Sequence, residues 1–464
     1  RPLDIASASL VLGGGGSLTT PISVTNGAFT LESGEFLANL DVSLPPIALD
    51  DGVLRIESNA AFRLTRTFGS NSHGISDAPA GGGTFRLAGG TFDHGPVVFT
   101  VAPRFIWSGG VLAGETLFIC QSNLFVTGPD LHTISNSFVQ YEAQATVDGG
   151  MLVMDGSAAL AAGNGFTPLV VSNGAVIAGS TTNGILMLHA NVFDGSVGAL
   201  TVAVPMVLSG MVHVEGEATL AADSTFRPAG LDAHAGIFEL ADGASLRFSG
   251  GEQRFLDGSG WSHVPSFSGA TGTPRVIIDG ADVRSAAIIG NFAVDLDFAS
   301  GSFGGFLTNN PDINGLNGIT LTWTGGDFVG GSNVMFALTQ VNTVDNTNVI
   351  QIAGENEKGL VGRMVVFNSR AQWDGPGTVS MTSVGDRRSI WQFQQGLSVS
   401  SNAVIAGLPT QRVEMVNGGD LVLHTGATLQ VQAELSMFGR PIELAEDSML
   451  ILQGGGLLQA NAVH

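Results

Sequence analysis

The stretch LVLHTGATLQV, Leu421 to Val431, sets two short apolar alternations on either side of a bend. In an extended chain successive side chains point to opposite sides, so Leu421 and Leu423 share one face, as do Leu429 and Val431. Between the pairs lie three polar or small residues, then Ala427, whose minimal side chain suits a corner. The same offsets recur in FELADGASLRF (Phe238 to Phe248), VHVEGEATLAA (Val212 to Ala222), LVMDGSAALAA (Leu152 to Ala162), LRIESNAAFRL (Leu54 to Leu64) and LILQGGGLLQA (Leu450 to Ala460). LVVSNGAVI and LSVSSNAVI repeat the first nine positions, ending at Ile177 and Ile405. The frame is apolar, any residue, apolar, three polar or small residues, Ala or Gly, any residue, apolar.

Each such strand has two or three inward seats, too few to bury a face alone. Met415, Leu423 and Val431 fall eight residues apart. Three strands of that length make a coil of about 24 residues, inside the range of solenoid repeats. Stacked coils pair their strands at about 4.8 Å and build one continuous apolar interior. The expected fold is all-β, a single-stranded parallel β-helix (solenoid) with short strands and Gly/Asn/Asp/Ala corners. The alternatives are a β-propeller and an antiparallel β-prism or sandwich, in which Asn173-Gly174 would serve as a hairpin turn.

The tryptophans fit the same frame. In LTWTGGDFVG, Leu321 and Trp323 alternate, two glycines follow, and Phe328 comes next; FIWSGGVLAG repeats this with Phe105, Trp107 and Leu112. Phe85 and Leu87, Phe298, and Phe248 take the corresponding seats in related segments. A seat shared by Trp, Leu and Phe, in phase with another apolar residue, belongs to an interior ladder. The expected core ladder is therefore Phe85, Leu87, Phe105, Trp107, Phe248, Phe298, Leu321 and Trp323. Trp261, Trp373 and Trp391 have less regular contexts and are expected as candidate surface aromatics.

Composition narrows the function. The chain has 464 residues, of which 66 are glycine, roughly twice ordinary usage, yet 44% are hydrophobic, so it is neither collagen-like nor a disordered linker. Its formal charge is −22, and Lys358 is its only lysine. A surface so acidic repels phosphate backbones, which argues against nucleic-acid partners. No apolar run reaches the ~18 residues of a transmembrane segment. The single cysteine, Cys120 in LFICQ, excludes a disulfide framework or a cysteine-based zinc site and reads as a buried thiol. There is no Asn-x-Ser/Thr sequon.

NGGDLVLHTGATLQV (Asn417 to Val431) and DGGMLVMDGSAAL (Asp148 to Leu160) resemble the Gly-rich strand repeats of bacterial autotransporter passenger domains and related secreted right-handed β-helix proteins. The likeness is scattered over about half the chain. It implies an extracellular or cell-surface location and roles in adhesion, aggregation or structure. The chain does not end in strands resembling a translocator barrel, so the resemblance implies a released or differently exported β-helix.

Three stretches break the frame and are expected as loop insertions near 68–83, 307–318 and 341–363, the last holding Lys358. Residues 1–16 alternate Leu3, Ile5, Leu10 and Leu12 and then enter four glycines, so they form either the first coil, a cap, or a donor strand for a neighbouring subunit. Those four residues are the subunit-contact candidates, and 17–464 is expected as a continuous β-helix. Coil ends expose unpaired strand edges, which points to a homo-oligomer or filament built through end-to-end or lateral contacts.

Catalytic signals are weak. Glycoside hydrolysis needs two carboxylates, which Asp295/Asp297 or Asp279/Asp282 could supply, but Asp is also a routine corner residue. Nine dispersed histidines form no His-x-x-x-His pair, and Asp-rich corners leave calcium as the one cofactor to consider. The expected function is a non-enzymatic secreted or surface structural protein, self-assembling into a filament or sheet or acting as an adhesin on surface glycans. The alternative is a polysaccharide-binding or polysaccharide-degrading β-helix, a lyase or glycoside hydrolase.

Overall fold

Alternating Val, Ile, Leu and Phe with polar residues between them favours half-buried strands, and the chain folds accordingly. A computed structural model describes residues 3–459 except 19–21, 39–46, 65–72, 78–81, 164–166, 180–184, 227–235, 257–258, 265–270, 286–287, 290–293, 306–311, 315–319, 330–334, 340–348, 363, 368–369, 384–388 and 454–457. The described residues contain no helix, and their strands pair in parallel, coil upon coil, as a β-solenoid. A propeller blade or a β-prism would require antiparallel neighbours. The chain forms two compact units, Arg1–Thr219 and Leu220–His464.

In the first unit one inward column runs Leu10, Phe29, Leu54, Phe85, Phe105, Leu124, Ala145 and Leu169, each residue paired with the next. The step is not constant: Leu54 to Phe85 spans 31 positions and Phe105 to Leu124 spans 19. In the second unit a column runs Phe248, Ile278, Phe298, Trp323, Ile352, Trp373, Val399 and Leu423. A separate eight-stranded parallel sheet from Ile288–Ile289 to Leu458–Gln459 supplies another face of these coils.

Stacking coils in register places like side chains over one another, and the aromatic residues use this. The Phe85 and Phe105 rings of adjacent coils stack at 4.7 Å with 16° between their planes, and within one coil Trp323 meets Phe328 edge-on at 4.8 Å. Such pairs contribute about 0.5–1.5 kcal/mol each beyond the area they bury. Trp373 and Trp391 are fully buried, and Trp261 is 2% exposed. The expectation of surface aromatics at these three positions is therefore corrected. Their flanking sequence is irregular because coil length varies, but each falls on an inward seat once the coils are paired.

The double glycines do different work in the two tryptophan segments. Arg104–Ala113 is one ten-residue strand that passes straight through Trp107-Ser108-Gly109-Gly110, with register shifts on both sides of Gly109. The glycines there make a bulged bend inside a strand. Gly110 has φ +94°, and a Cβ on it would lie 2.1 Å from the Gly90 carbonyl oxygen of the neighbouring coil. In the second segment Thr320–Trp323 ends, and Gly326–Val329 begins a new strand. The Trp323 indole N–H donates to the Gly326 carbonyl oxygen at 3.1 Å and so ties the corner together.

The stretches read as loops are partly strand. His73–Asp77 pairs with Ile47–Leu49 and Phe99–Val101, so the interval 68–83 carries a regular rung. Asp312–Asn314 is a strand within 307–318. Within 341–363, Val349–Ile352 and Lys358–Val361 are both rungs, and 340–348 lies outside the described residues. Polar sequence hid these strands because only their inward positions must be apolar. At the start of the chain, Leu3–Ala6, Ser9–Leu12 and Gly16–Leu18 pair with Ile22–Thr25, Ala28–Leu31 and Phe36–Ala38, forming a coil on this chain's own stack.

The two kinds of glycine separate experimentally. Gly426 has φ +73° but open space around its Cβ position, so Gly426→Ala is expected to cost about 1 kcal/mol, the left-handed penalty alone. Gly110→Ala adds a collision with backbone and is expected to cost about 3 kcal/mol or more. Denaturant midpoints of the two variants test the order; equal losses would contradict the close coil-to-coil approach at Gly110.

Candidate functional site

In the second unit Leu246, Val276, Leu296, Leu321 and Ile350 point inward, so their sequence neighbours point out. Register then aligns Arg247, Ile277, Asp297, Thr322 and Gln351 in one outward column, at about 4.8 Å per coil. Beside it, Arg275 pairs with Asp295, whose Oδ1 accepts a hydrogen bond from the Thr320 N–H at 3.0 Å. These residues, with Ala299 and Thr324, line an open cleft of about 710 Å³. Two arginines stand at one end and three threonines and Gln351 at the other, with two aspartates between and Ile277 and Ala299 as apolar surface.

The charges are nearly matched. Arg247 Nη1 donates to Asp279 Oδ2 at 2.6 Å, and Asp279 Oδ1 accepts from the Ser300 hydroxyl at 2.9 Å. Arg275 Nη1 lies 3.6 Å from Asp297 Oδ2, an ion pair without a close hydrogen bond. Burial pushes the Asp297 carboxyl above its ordinary range, and Arg275 and the Thr322 hydroxyl partly pull it back. The cleft is thus close to local charge balance on a chain of formal charge −22.

The proposed carboxylate pairs are placed differently. Asp295 and Asp297 share one outward face two positions apart, about 7 Å by strand geometry. Asp279 and Asp282 flank Gly280-Ala281 at a bulge; Asp282 contacts Arg284 and the Ser302 hydroxyl, so each is held in its own corner network. Among the described residues, no three His, Cys, Asp or Glu side chains converge as a cation site.

Four other chemically competent groups lie inside. Cys120 is 1% exposed, and burial pushes its thiol pKa up. Lys358, expected in a loop, opens a strand instead and is fully buried; its ammonium donates to the carbonyl oxygens of Gly354 at 2.8 Å and Asn356 at 2.9 Å. Burial lowers its pKa. The two bonds satisfy an ammonium that would otherwise be buried without a partner, which is costly. His94 is fully buried; its Nδ1 lies 3.0 Å from the Val97 carbonyl oxygen and its Nε2 2.8 Å from the Ser137 hydroxyl. A neutral ring fits, with Nδ1–H donating to Val97 and Nε2 accepting from Ser137. His132, also fully buried, faces the Trp107 and Met151 carbonyl oxygens at 3.1 and 3.3 Å.

The eight ladder residues Phe85, Leu87, Phe105, Trp107, Phe248, Phe298, Leu321 and Trp323 are all buried. Of the subunit-contact candidates, Ile5 is buried, while Leu3, Leu10 and Leu12 are half-buried in the first coil. Sequence reading did not find Arg247, Arg275, Thr320, Thr322, Thr324 or Gln351. The signal was present in TLTWT, where threonines alternate with Leu321 and Trp323 and must face out. Without coil lengths, however, nothing aligned it with DLD at 295–297. Compared with known proteins, the chain matches no family model, no curated protein and no solved structure.

The two interior histidines set a pH dependence. Burial lowers both pKa values below the ordinary 6.5, against opposing hydrogen bonds to backbone carbonyls. The unfolded chain therefore binds protons at a higher pH than the folded one, and the stability that His94 and His132 contribute is present above about pH 6.5 and lost as pH falls below it. Thermal midpoints are expected to drop between pH 7.5 and 5.5, and His94→Gln combined with His132→Gln to flatten that drop. An unchanged slope in the double variant would remove these rings as its cause.

Proposed function

We propose that this chain is an extracellular or cell-surface structural protein, a β-solenoid that assembles with copies of itself or adheres to a surface, in the manner its repeats' resemblance to autotransporter passengers implies. The observation that carries this reading is the placement of four potentially reactive groups. Cys120, His94, His132 and Lys358 are all inside the coils, and the last three are bonded to backbone carbonyls at corners. Groups so used support a rigid rung-by-rung scaffold. The scaffold's pairing is also self-propagating: a coil edge presents N–H and C=O groups in the spacing another coil needs. Leu3, Leu10 and Leu12, half-buried in the first coil, would lie at such a contact.

Charge sets the conditions for assembly. Copies of formal charge −22 repel one another at low ionic strength, and salt shortens the range of that repulsion to below about 10 Å. Negative-stain microscopy and light scattering of the pure protein are expected to show filaments or sheets that grow as NaCl is raised from about 0.02 to 0.3 M. A monodisperse monomer at high concentration in both buffers would overturn the self-assembling form. The polysaccharide-degrading reading is favoured by one observation, the Asp295 and Asp297 pair in an open cleft. Release of reducing ends from a polysaccharide panel, abolished by Asp297→Asn, would establish it in place of the structural one.

A further inference from the structure

The outward column of the second unit has a use that a purely structural coil does not require. We infer that the cleft formed by Arg247, Arg275, Asp295, Asp297, Thr322 and Gln351 binds a stretch of neutral, hydroxyl-rich polysaccharide lying along the coil stack. The inference goes beyond the structural role proposed above and does not depend on it, since the cleft occupies the outer face of one unit whether or not copies assemble.

Spacing is the first argument. Parallel coils repeat the outward column at about 4.8 Å, close to the length of one pyranose unit in an extended glycan. A sugar chain along the axis would therefore meet a fresh polar side chain at each coil: Asp297, then Thr322, then Gln351. A ligand without that repeat could use one or two of these groups but not the series. The cleft volume of about 710 Å³ is that of a site for a short oligomer, within the ordinary range of ligand clefts.

Charge is the second. The lining carries Arg247 and Arg275 against Asp295 and Asp297, and Asp279, bonded to Arg247, leaves a single negative charge in excess, which disfavours an anion. An anionic sugar seated on Arg247 would compete with Asp279, to which the guanidinium already donates at 2.6 Å. A cationic ligand seated on Asp297 would compete with Arg275. A neutral polyol displaces neither and can donate to the carboxylates while accepting from the guanidiniums. The 3.6 Å separation of Arg275 and Asp297 leaves both groups bonding capacity toward such hydroxyls, and the Arg275 side chain is 58% exposed.

Shape and rigidity are the third. Ile277 and Ala299 put apolar surface among the polar groups, a seat for the C–H face of a sugar ring. Thr320, Thr322 and Thr324 are β-branched and sit on or beside a paired strand, so their hydroxyls are held with little rotamer freedom left to lose on binding.

Calorimetry of the full chain with cellohexaose, xylohexaose and mannohexaose, and with hexagalacturonate as the anionic comparison, tests this. At least one neutral hexasaccharide is expected to bind, more tightly than its own disaccharide. Thr322→Val and Asp297→Ala are each expected to weaken binding by up to about tenfold, the loss of one or two ligand hydrogen bonds. Thr133→Val, an outward change in the other unit, is expected to leave binding unchanged, and thermal midpoints confirm that the variants fold. Absence of binding tighter than about millimolar by every neutral hexasaccharide overturns the inference. So does binding indifferent to both cleft variants, or a preference for hexagalacturonate lost in Arg275→Ala. Assembly is read separately, without sugar, so failure of the cleft and failure of the scaffold reading are distinguishable.

Discussion

Parallel backbone pairing between successive coils is the interaction on which everything else in this protein depends. Each strand contributes only a few ladder bonds and two or three inward side chains, too little to persist alone. Stacked, the same short strands satisfy their N–H and C=O groups above and below and close an apolar interior. The columns through Phe85 and Phe105 and through Phe298 and Trp323 follow from that pairing. A ring placed inward in one coil lies over the ring placed inward in the next, so core composition is set by register as much as by hydrophobicity.

The corners carry the complementary constraint. Coils about 4.8 Å apart leave no room for a Cβ where two backbones bend together, and Gly110 over Gly90 is that situation. At other corners side chains act as fasteners: the Trp323 indole on Gly326, the Lys358 ammonium on Gly354 and Asn356, the His94 ring between Val97 and Ser137. Each of these polar side chains finds a hydrogen-bond partner at its corner, since an unpaired polar group inside the stack is costly. Side chains that would suggest chemistry in another setting serve here as corner fasteners.

Positional regularity on the inside has a consequence on the outside. The alternation that buries Leu321 and Trp323 must expose Thr320, Thr322 and Thr324, and coil pairing then sets them beside Asp295 and Asp297. The acidic chain thereby acquires a strip close to charge balance, with each arginine near an aspartate of its own or a neighbouring coil. Rigid spacing, a mixed set of donors and acceptors and an apolar floor come together there as by-products of the fold's geometry.

The short apolar alternations, the Ala or Gly at the bend and the recurrence of both were legible from the amino acids alone, and they determined a parallel β-solenoid with an aromatic interior. They did so because inward seats and tight corners impose residue types locally. Tertiary structure alone decided which residues meet across coils, since steps of 19 and 31 residues coexist and no local signal measures them. That is why Trp373 and Trp391 read as surface residues and prove buried, why Lys358 read as a loop cation and proves a corner fastener, and why the cleft residues stayed hidden. A site whose members lie 20 to 30 positions apart along the chain exists only once pairing brings them to neighbouring rungs.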